Sequence, residues 1–154
     1  VEVAIEVARR LGRTLEIVGT GPRMRSLRRL GGPDVRFLGG LDREQLRDAY
    51  RRAAALLVPN VEDFGMVSVE ALACGTPVVG LAQSGTADIV RDDIEGALAD
   101  ESSVDALVEA TSRVLDRRWD AEQLCHRADL FSRERFRTRF GFLLDRLGFG
   151  EARP

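Results

Sequence analysis

The amino-acid sequence predicts an α/β fold built on a parallel, doubly wound sheet. Short runs of β-branched and other apolar residues alternate with segments whose apolar residues recur at helical spacing. Turns that contain glycine or proline separate these runs, and no linker or low-complexity tract divides the 154 residues. Strands that alternate with helices at this spacing form βαβ units, whose right-handed crossovers make the strands parallel.

The first third of the chain contains three predicted helices and two predicted strands. Val7 and Leu11 lie on one helical face, and Gly12 follows at a position where glycine commonly ends a helix. Asp42 and Gln45 have the spacing of a capping box, which predicts the start of another helix. The predicted helices span 1–11, 24–30 and 42–53, and the predicted strands span 15–18 and 35–38.

The rest of the chain continues the alternation and then becomes helical. Strands are predicted at 55–58, 78–81 and 96–98, and helices at 65–74 and 86–91. Ser102 has the character of an N-cap, and from there the chain is predicted to be helical almost to Leu147. The tail 148–154 is predicted to be loose.

Composition excludes several classes of protein. The net charge of −2 argues against a nucleic-acid binder, and no run approaches the roughly 18 apolar residues that a transmembrane helix needs. Two cysteines provide no disulfide framework, which predicts a cytoplasmic protein. A single histidine, His126, excludes a multi-histidine metal site, and we expect neither a metal nor a cofactor.

Two loops are candidates for ligand binding, because doubly wound sheets bind ligands beyond the carboxyl ends of their strands. The first contains Gly19 and Gly21, and the second runs over 60–65 into a helix that begins at Gly65. The N–H groups in the first turn of that helix lack intrahelical partners, and the helix dipole favours an anion there. The second loop therefore predicts a phosphate site.

Two carboxylates accompany this helix start. Glu62 precedes Glu70 by eight positions, and Glu70 lies on an otherwise apolar helix. Burying a carboxylate without a partner costs on the order of several kcal/mol, and ligand hydroxyls would serve as that partner. Spacing alone leaves two interpretations open. Either both carboxylates line one ligand site, or Glu62 is an ordinary solvated loop residue and Glu70 pairs with an arginine.

Residues 62–79 read EDFGMVSVEALACGTPVV. This stretch resembles the E-x7-E signature of the retaining GT-B glycosyltransferases of family 4, whose usual form is E-G-F-G-hydrophobic-V-x-x-E-A-x-A-x-G-x-P-V-V. Asp63 stands where that signature usually has glycine, a variant associated with mannosyltransferase-like members. The strand and turn over 15–22 and the segment 35–41 extend the resemblance, which covers 1–147.

The resemblance implies a Rossmann-like, doubly wound, C-terminal half of a GT-B fold that binds a nucleotide-diphosphate sugar for retaining sugar transfer. It implies that Glu62 is the catalytic residue, in contact with hydroxyls of the donor sugar, and that Glu70 binds the ribose. GDP-mannose is the first donor expected, with a UDP-sugar as the alternative. The implied donor-binding residues are Gly19, Gly21, Leu41, Phe64, Gly65, Met66, Val67 and Glu70.

The individual roles follow the same resemblance. The backbone N–H groups of Gly65, Met66 and Val67 would hold the diphosphate, and the loop that contains Leu41 would lie against the base. The family usually adds an arginine and a lysine from a segment before the first helix, and this sequence contains no lysine. We therefore interpret 1–147 as a donor-binding domain without its first strand and without an N-terminal acceptor domain.

This interpretation carries further expectations. The chain alone is expected to transfer no sugar, and its partners are expected to be the sugar donor and the acceptor domain, with no nucleic acid. Peripheral association of the longer protein with the inner membrane face is left open. Two other functions also remain open: a nucleotide-sugar epimerase of GT-B fold, against which the single histidine counts, and a nucleotide-binding module without catalysis.

Overall fold

A computed structural model describes residues 1–149, and within them the chain forms five strands and eight helices. The strands are β1 (Leu15–Val18), β2 (Val35–Gly39), β3 (Leu56–Leu57), β4 (Val78–Leu81) and β5 (Gly96–Ala99). The helices are α1 (Glu2–Leu11), α2 (Met24–Gly31), α3 (Arg43–Arg52), α4 (Met66–Ala73), α5 (Thr86–Ile89), α6 (Val104–Leu115), α7 (Ala121–Asp129) and α8 (Arg133–Arg146). Most of the tail predicted to be loose, 148–154, lies outside the described residues.

All strand pairs are parallel, which confirms the predicted α/β fold, but the strands form two sheets. β1 pairs with β2, with Leu15 opposite Val35. β4 pairs with β3 on one side and β5 on the other, with Val78 opposite both Leu56 and Gly96. No ladder joins β1 to β3 within residues 1–149. The doubly wound sheet is therefore divided into a part of two strands and a part of three.

The three-stranded sheet is covered on both faces, as a doubly wound fold requires. All four residues of β4 are buried. On one face Val79 packs with Val7 of α1 and Leu107 of α6. On the other face Val78 packs with Leu72 of α4, together with residues of α7. The core thus lies on the two sides of β4, with helices α1 and α6 opposite helices α4 and α7.

The C-terminal third is helical almost to Leu147, as predicted, and consists of three helices, but the first of them is capped by Ser103 and not by Ser102. Ser103 caps α6, because its Oγ accepts a hydrogen bond from the N–H of Ala106 at 3.2 Å. The Ser102 hydroxyl donates instead to the carbonyl of Pro59. Asp120 caps a second helix, α7.

The N-terminal cap of α3 was predicted correctly. Asp42 Oδ1 accepts from the N–H of Gln45 at 2.9 Å, and Gln45 Oε1 accepts from the N–H of Asp42 at 3.1 Å, which confirms the capping box of α3. The strand predicted at 55–58 is reduced to β3, which pairs on one side only. Across residues 1–149, none of the helices combines the length and apolar character that a membrane crossing requires.

Candidate functional site

A groove of about 780 Å³ separates the two sheets. β1 and β3 form its sides, and α1 and α3 contribute residues from the two faces. Beyond the carboxyl end of β3 the groove is lined by Asn60, Glu62, Val67 and Glu70. The structure therefore brings both predicted carboxylates and one predicted backbone donor to the sheet edge where ligands of such folds bind.

The backbone around Glu62 is fixed by the loop that follows β4. The N–H of Glu62 donates to Ser84 Oγ at 2.9 Å, and the Glu62 carbonyl accepts from the N–H of Gly85 at 2.8 Å. A Cβ on Gly85 would lie 2.7 Å from the Cα of Phe64, so the approach requires glycine. Asn60 Nδ2 donates to Glu62 Oε1 at 3.4 Å. These contacts hold Glu62 partly buried at the wall of the groove.

Sequence analysis missed Ser84 and Gly85. Both follow β4 at the carboxyl edge of the larger sheet, which is the edge that made the loop after β3 a candidate. A serine and a glycine shortly after a wholly buried strand were the available signal. Applying the same rule to every strand would have found them.

Helix α4 begins with backbone donors that are free to bind an anion. Gly65 is its N-cap with φ 94°, a left-handed conformation that favours glycine, and no side chain caps the helix. The N–H of Ser68 donates to the Gly65 carbonyl at 2.9 Å. In the part of the chain that the structure describes, the N–H groups of Gly65, Met66 and Val67 have no acceptor. These are the three groups predicted to hold a diphosphate.

Gly65 also packs tightly from the opposite side. A Cβ there would lie 3.3 Å from Thr86 Oγ1 and 3.4 Å from Ile89 Cδ1, both on α5. Thr86 Oγ1 in turn lies 3.5 Å from the hydroxyl of Ser68, and both side chains are buried. The start of α4 is therefore held against α5, which leaves its free donors in a defined position.

Glu70 is exposed, and its partner is a tyrosine. The Tyr50 hydroxyl, twenty residues earlier on α3, donates to Glu70 Oε2 at 3.1 Å. Within residues 1–149 neither Glu70 nor Glu62 forms an ion pair. The interpretation in which Glu70 pairs with an arginine is therefore wrong, and so is the premise that Glu70 is buried.

Tyr50 stays a hydrogen-bond donor at neutral pH. Burial raises the pKa of the Tyr50 phenol well above its ordinary value, and the Glu70 carboxylate raises it further. Cys74 and Glu62 contribute smaller increases in the same direction. The backbone carbonyl of Tyr50 accepts from Thr76 Oγ1 at 2.6 Å, which fixes this end of α3 beside the start of β4. Sequence analysis gave no signal for Tyr50, because the contact joins two helices.

Three other predicted donor-binding residues lie in the loops that follow β1 and β2. The N–H of Gly19, at the end of β1, donates to the Gly39 carbonyl at 2.7 Å, so the two loops begin side by side. Gly21 continues the first loop, and Leu41 lies in the second. None of these three residues lines the groove. Their contact with a sugar donor stays a prediction.

Phe64 and Met66 lie at the surface beside the start of α4. The side chain of Phe64 is 45% exposed, and its ring packs edge-on against Phe131, with 6.1 Å between the ring centroids. Met66 is 60% exposed. His126 is exposed on α7 and does not line the groove. Within residues 1–149 no group of three or more His, Cys, Asp or Glu residues is arranged to hold a metal ion.

Positive charge is sparse around the free helix start. In the described part of the chain, the basic residues that line the groove are Arg13, Arg36 and Arg52. Arg52 lies 3.3 Å and Arg36 3.7 Å from carboxylate oxygens of Glu16, so these two arginines share one carboxylate. Arg23, which follows the Gly19 loop, pairs with Glu2. The free N–H groups of α4 are the electropositive groups that directly follow Glu62 and precede Glu70 in the chain.

Comparisons with known proteins identify the family and the fold. The chain is 46% identical over 84 residues to the D-inositol 3-phosphate glycosyltransferase of Mycolicibacterium smegmatis, a match that covers 54% of this chain and 19% of that relative. The structure of this chain is similar to that of sucrose-phosphate synthase from Thermosynechococcus elongatus. The TM-score is 0.82 and the sequence identity 28%, over 95% of this chain and 41% of that one.

A third likeness is to the pneumococcal O-GlcNAc transferase GtfA, solved in complex with UDP and GlcNAc. Its TM-score is 0.69 at 19% identity, over 94% of this chain and 32% of that one. The fold is therefore that of GT-B glycosyltransferases, although the chain spans only part of each protein that it matches. The sequence model of the family described as glycosyl transferases group 1 matches residues 1–134 of this chain. The chain belongs to that glycosyltransferase family.

Proposed function

We propose that the end of the groove beyond β3 binds a nucleotide-diphosphate sugar, and that the chain is the donor-binding domain of a retaining glycosyltransferase. One observation carries the proposal: three free N–H groups at the start of α4 lie next to two carboxylates that have no cationic partner within residues 1–149. Backbone donors suit a diphosphate, whereas carboxylates suit sugar and ribose hydroxyls.

Each group has a distinct role in this proposal. The N–H groups of Gly65, Met66 and Val67 donate to diphosphate oxygens, Glu70 accepts from ribose hydroxyls, and Glu62 accepts from hydroxyls of the donor sugar. During transfer the bond between the sugar's anomeric carbon and the diphosphate breaks, and a bond to the oxygen of an acceptor hydroxyl forms on the same face. The proton of that hydroxyl passes to the departing diphosphate. Donors that are already oriented stabilise the negative charge that develops on the departing diphosphate.

The substrates of sugar transfer are part of the same proposal. The likeness to a D-inositol 3-phosphate glycosyltransferase makes D-inositol 3-phosphate the first acceptor to examine. GDP-mannose stays a prediction that rests on Asp63, and the UDP complex of GtfA favours trying UDP first. A cytoplasmic location likewise stays a prediction from the cysteine content.

Titration calorimetry with UDP and GDP tests the proposal. We expect at least one of them to bind the chain with a Kd on the order of 0.1–1 mM, or about −4 to −5.5 kcal/mol. The matching monophosphate should bind roughly tenfold or more weakly, because it lacks oxygens that accept from the start of α4. Equal affinity for the monophosphate, or no binding of either diphosphate to folded protein, would contradict the proposal.

Replacing Tyr50 by phenylalanine should weaken diphosphate binding moderately. The substitution keeps the ring but removes the hydroxyl that donates to Glu70, so the carboxylate loses its fixed position. We expect a Kd about two- to tenfold higher, since one hydrogen bond contributes roughly 0.5–1.5 kcal/mol. The same titration measures the change, and Arg118→Ala, an exposed residue between α6 and α7 that does not line the groove, serves as control. An unchanged Kd would show that Tyr50 does not position Glu70.

A further inference from the structure

The two cysteines of the chain approach each other where α4 ends against α7. Cys74 is the C-cap of α4, and Cys125 lies on α7. Both thiols are free, and the thiol of Cys125 donates to the carbonyl of Ala73 at 3.4 Å. The Cα of Cys74 is one peptide unit from that carbonyl oxygen, so the sulfur of Cys125 lies within roughly 6 Å of it.

A glycine allows the two helices to meet closely at this point. Gly75 follows α4 with φ 77°, and a Cβ there would lie 2.9 Å from the Cβ of Ala121. Ala121 precedes Cys125 by about one helical turn on α7. α4 and α7 also share a buried core, in which Leu72 packs with Leu124. The backbone segments that carry the two thiols are therefore held side by side in the folded chain.

The two thiols differ in their accessibility. Cys125 is exposed, whereas Cys74 is partly buried. Burial raises the pKa of the Cys74 thiol, Arg51 of α3 lowers it, and Cys125 raises it again. Charged groups act on a pKa over short distances, so both Arg51 and Cys125 lie near Cys74. Cys125 is thus the thiol that a dissolved reagent reaches first.

Cys74 is also a neighbour of the hydrogen-bonded pair formed by Tyr50 and Glu70. It follows Glu70 by four positions, so the two side chains lie on the same face of α4. Beyond the effects of burial, Glu70 raises the pKa of the Cys74 thiol, and Cys74 raises the pKa of the Tyr50 phenol. A displacement of Cys74 therefore affects the surroundings of the hydrogen bond from Tyr50 to Glu70.

We propose that Cys74 and Cys125 form a thiol-modification site, which a low-molecular-weight disulfide such as oxidised glutathione converts into an intramolecular disulfide. The thiolate of Cys125 attacks one sulfur of the reagent, forms a mixed disulfide and releases one thiolate. The thiolate of Cys74 then attacks the Cys125 sulfur, forms the bond between the two cysteines and releases the second thiolate. The cysteines lose two electrons and two protons, and the reagent, which gains both, becomes two thiols.

The disulfide ties the end of α4 to α7. To bond with Cys125, Cys74 moves toward α7, and the last turn of α4 moves with it. We expect this movement to disturb the hydrogen bond between Tyr50 and Glu70 and so to weaken nucleoside diphosphate binding. The effect on binding rests on the proposed function, whereas the formation of the disulfide does not.

Peptide mapping of the 154-residue chain tests the proposal. The folded chain is equilibrated with oxidised and reduced glutathione, quenched in acid and digested with trypsin without a reductant. Cleavage after arginine places Cys74 in the peptide 53–91 and Cys125 in the peptide 119–127. We expect mass spectrometry to find these two peptides joined, and the whole chain to be lighter by two hydrogen atoms. A sample kept in dithiothreitol serves as control.

Two single variants separate the steps of the reaction. Cys74→Ser should stop at the mixed disulfide, with glutathione retained on Cys125. Cys125→Ser should react about tenfold more slowly or less, because its remaining thiol is partly buried. Serine is close to cysteine in size, and circular dichroism checks that both variants are folded.

Titration calorimetry on the same samples measures the effect on the donor site. The oxidised chain should bind UDP or GDP about two- to tenfold more weakly than the reduced chain, as expected for the loss of one hydrogen bond. Dithiothreitol should restore the affinity, and Cys125→Ser should bind equally well before and after treatment with glutathione. If the reduced chain binds neither diphosphate, the proposed function is wrong and the peptide map still decides whether the disulfide forms.

The inference is wrong if the folded chain keeps both thiols in oxidised glutathione. It is also wrong if glutathione stays on Cys125 of the parent chain, or if Cys125 links two copies of the chain. An oxidised chain that binds the diphosphate as tightly as the reduced chain would remove the connection between the disulfide and the donor site.

Discussion

The Glu70→Ala variant should bind its nucleoside diphosphate about 10–150-fold more weakly than the parent chain. In the proposed site the carboxylate accepts hydrogen bonds from ribose hydroxyls, and a hydrogen bond to a charged group contributes roughly 1.5–3 kcal/mol. Glu70 is exposed and forms no ion pair within residues 1–149, so its removal should leave the melting temperature nearly unchanged. Calorimetry and thermal unfolding on the same samples measure both quantities.

Two companion variants separate the ribose contact from a general charge effect. Glu70→Gln keeps the shape and one acceptor oxygen but loses the charge, so its Kd should lie between those of the parent and the alanine variant. Glu109→Ala removes an exposed carboxylate of α6 that does not line the groove, and should leave the Kd unchanged. An equal loss in Glu109→Ala, or none in Glu70→Ala, would remove Glu70 from the site.

The parts of the fold that depend on local sequence were predictable. The capping box of Asp42 and Gln45 formed because both partners lie within one helical turn. The choice between Ser102 and Ser103 was not predictable in this way. Either serine can cap a helix, and the contact that decides is the hydrogen bond from Ser102 to the carbonyl of Pro59, forty-three residues away. Tertiary contacts of this kind leave no trace in local periodicity.

The same distinction applies to the site. That Glu62 and Glu70 lie at the same helix start could be inferred from their spacing, since Glu62 is in the loop before the helix and Glu70 is on the helix. The residues that hold these two glutamates in position could not be inferred from spacing. Ser84 holds the backbone of Glu62 across twenty-two residues, and Tyr50 reaches Glu70 across twenty. Nor could spacing show that β1 and β3 would not pair with each other, because strand order depends on which strands meet in the folded sheet.

The largest effect we expect is the absence of sugar transfer by the 154-residue chain. Transfer requires an acceptor oxygen held against the anomeric carbon of the donor, and the proposed site provides contacts for the donor only. Holding two reactants together contributes effective concentrations on the order of 10⁵ M or more, so transfer without an acceptor site should be slower by about that factor.

The charge distribution around the groove leads to the same expectation. A departing diphosphate needs compensation of its developing negative charge. The sequence contains no lysine, and Arg36 and Arg52 are paired with Glu16. The N–H groups of Gly65, Met66 and Val67 suffice for binding, but they offer partial charges only. Donor binding and sugar transfer should therefore separate: the chain binds a nucleoside diphosphate yet leaves the corresponding nucleotide sugar intact.

Transfer of labelled sugar from UDP-glucose and from GDP-mannose tests this prediction. The chain alone is compared with the same chain fused behind an acceptor domain taken from a group 1 glycosyltransferase. We expect product only from the fused protein. We also expect Glu62→Ala to abolish transfer while nucleoside diphosphate binding persists, since in the proposed site Glu62 contacts the sugar and not the nucleotide. Sugar transfer by the 154-residue chain that is lost in Glu62→Ala would show that these residues are sufficient for catalysis and would overturn the prediction.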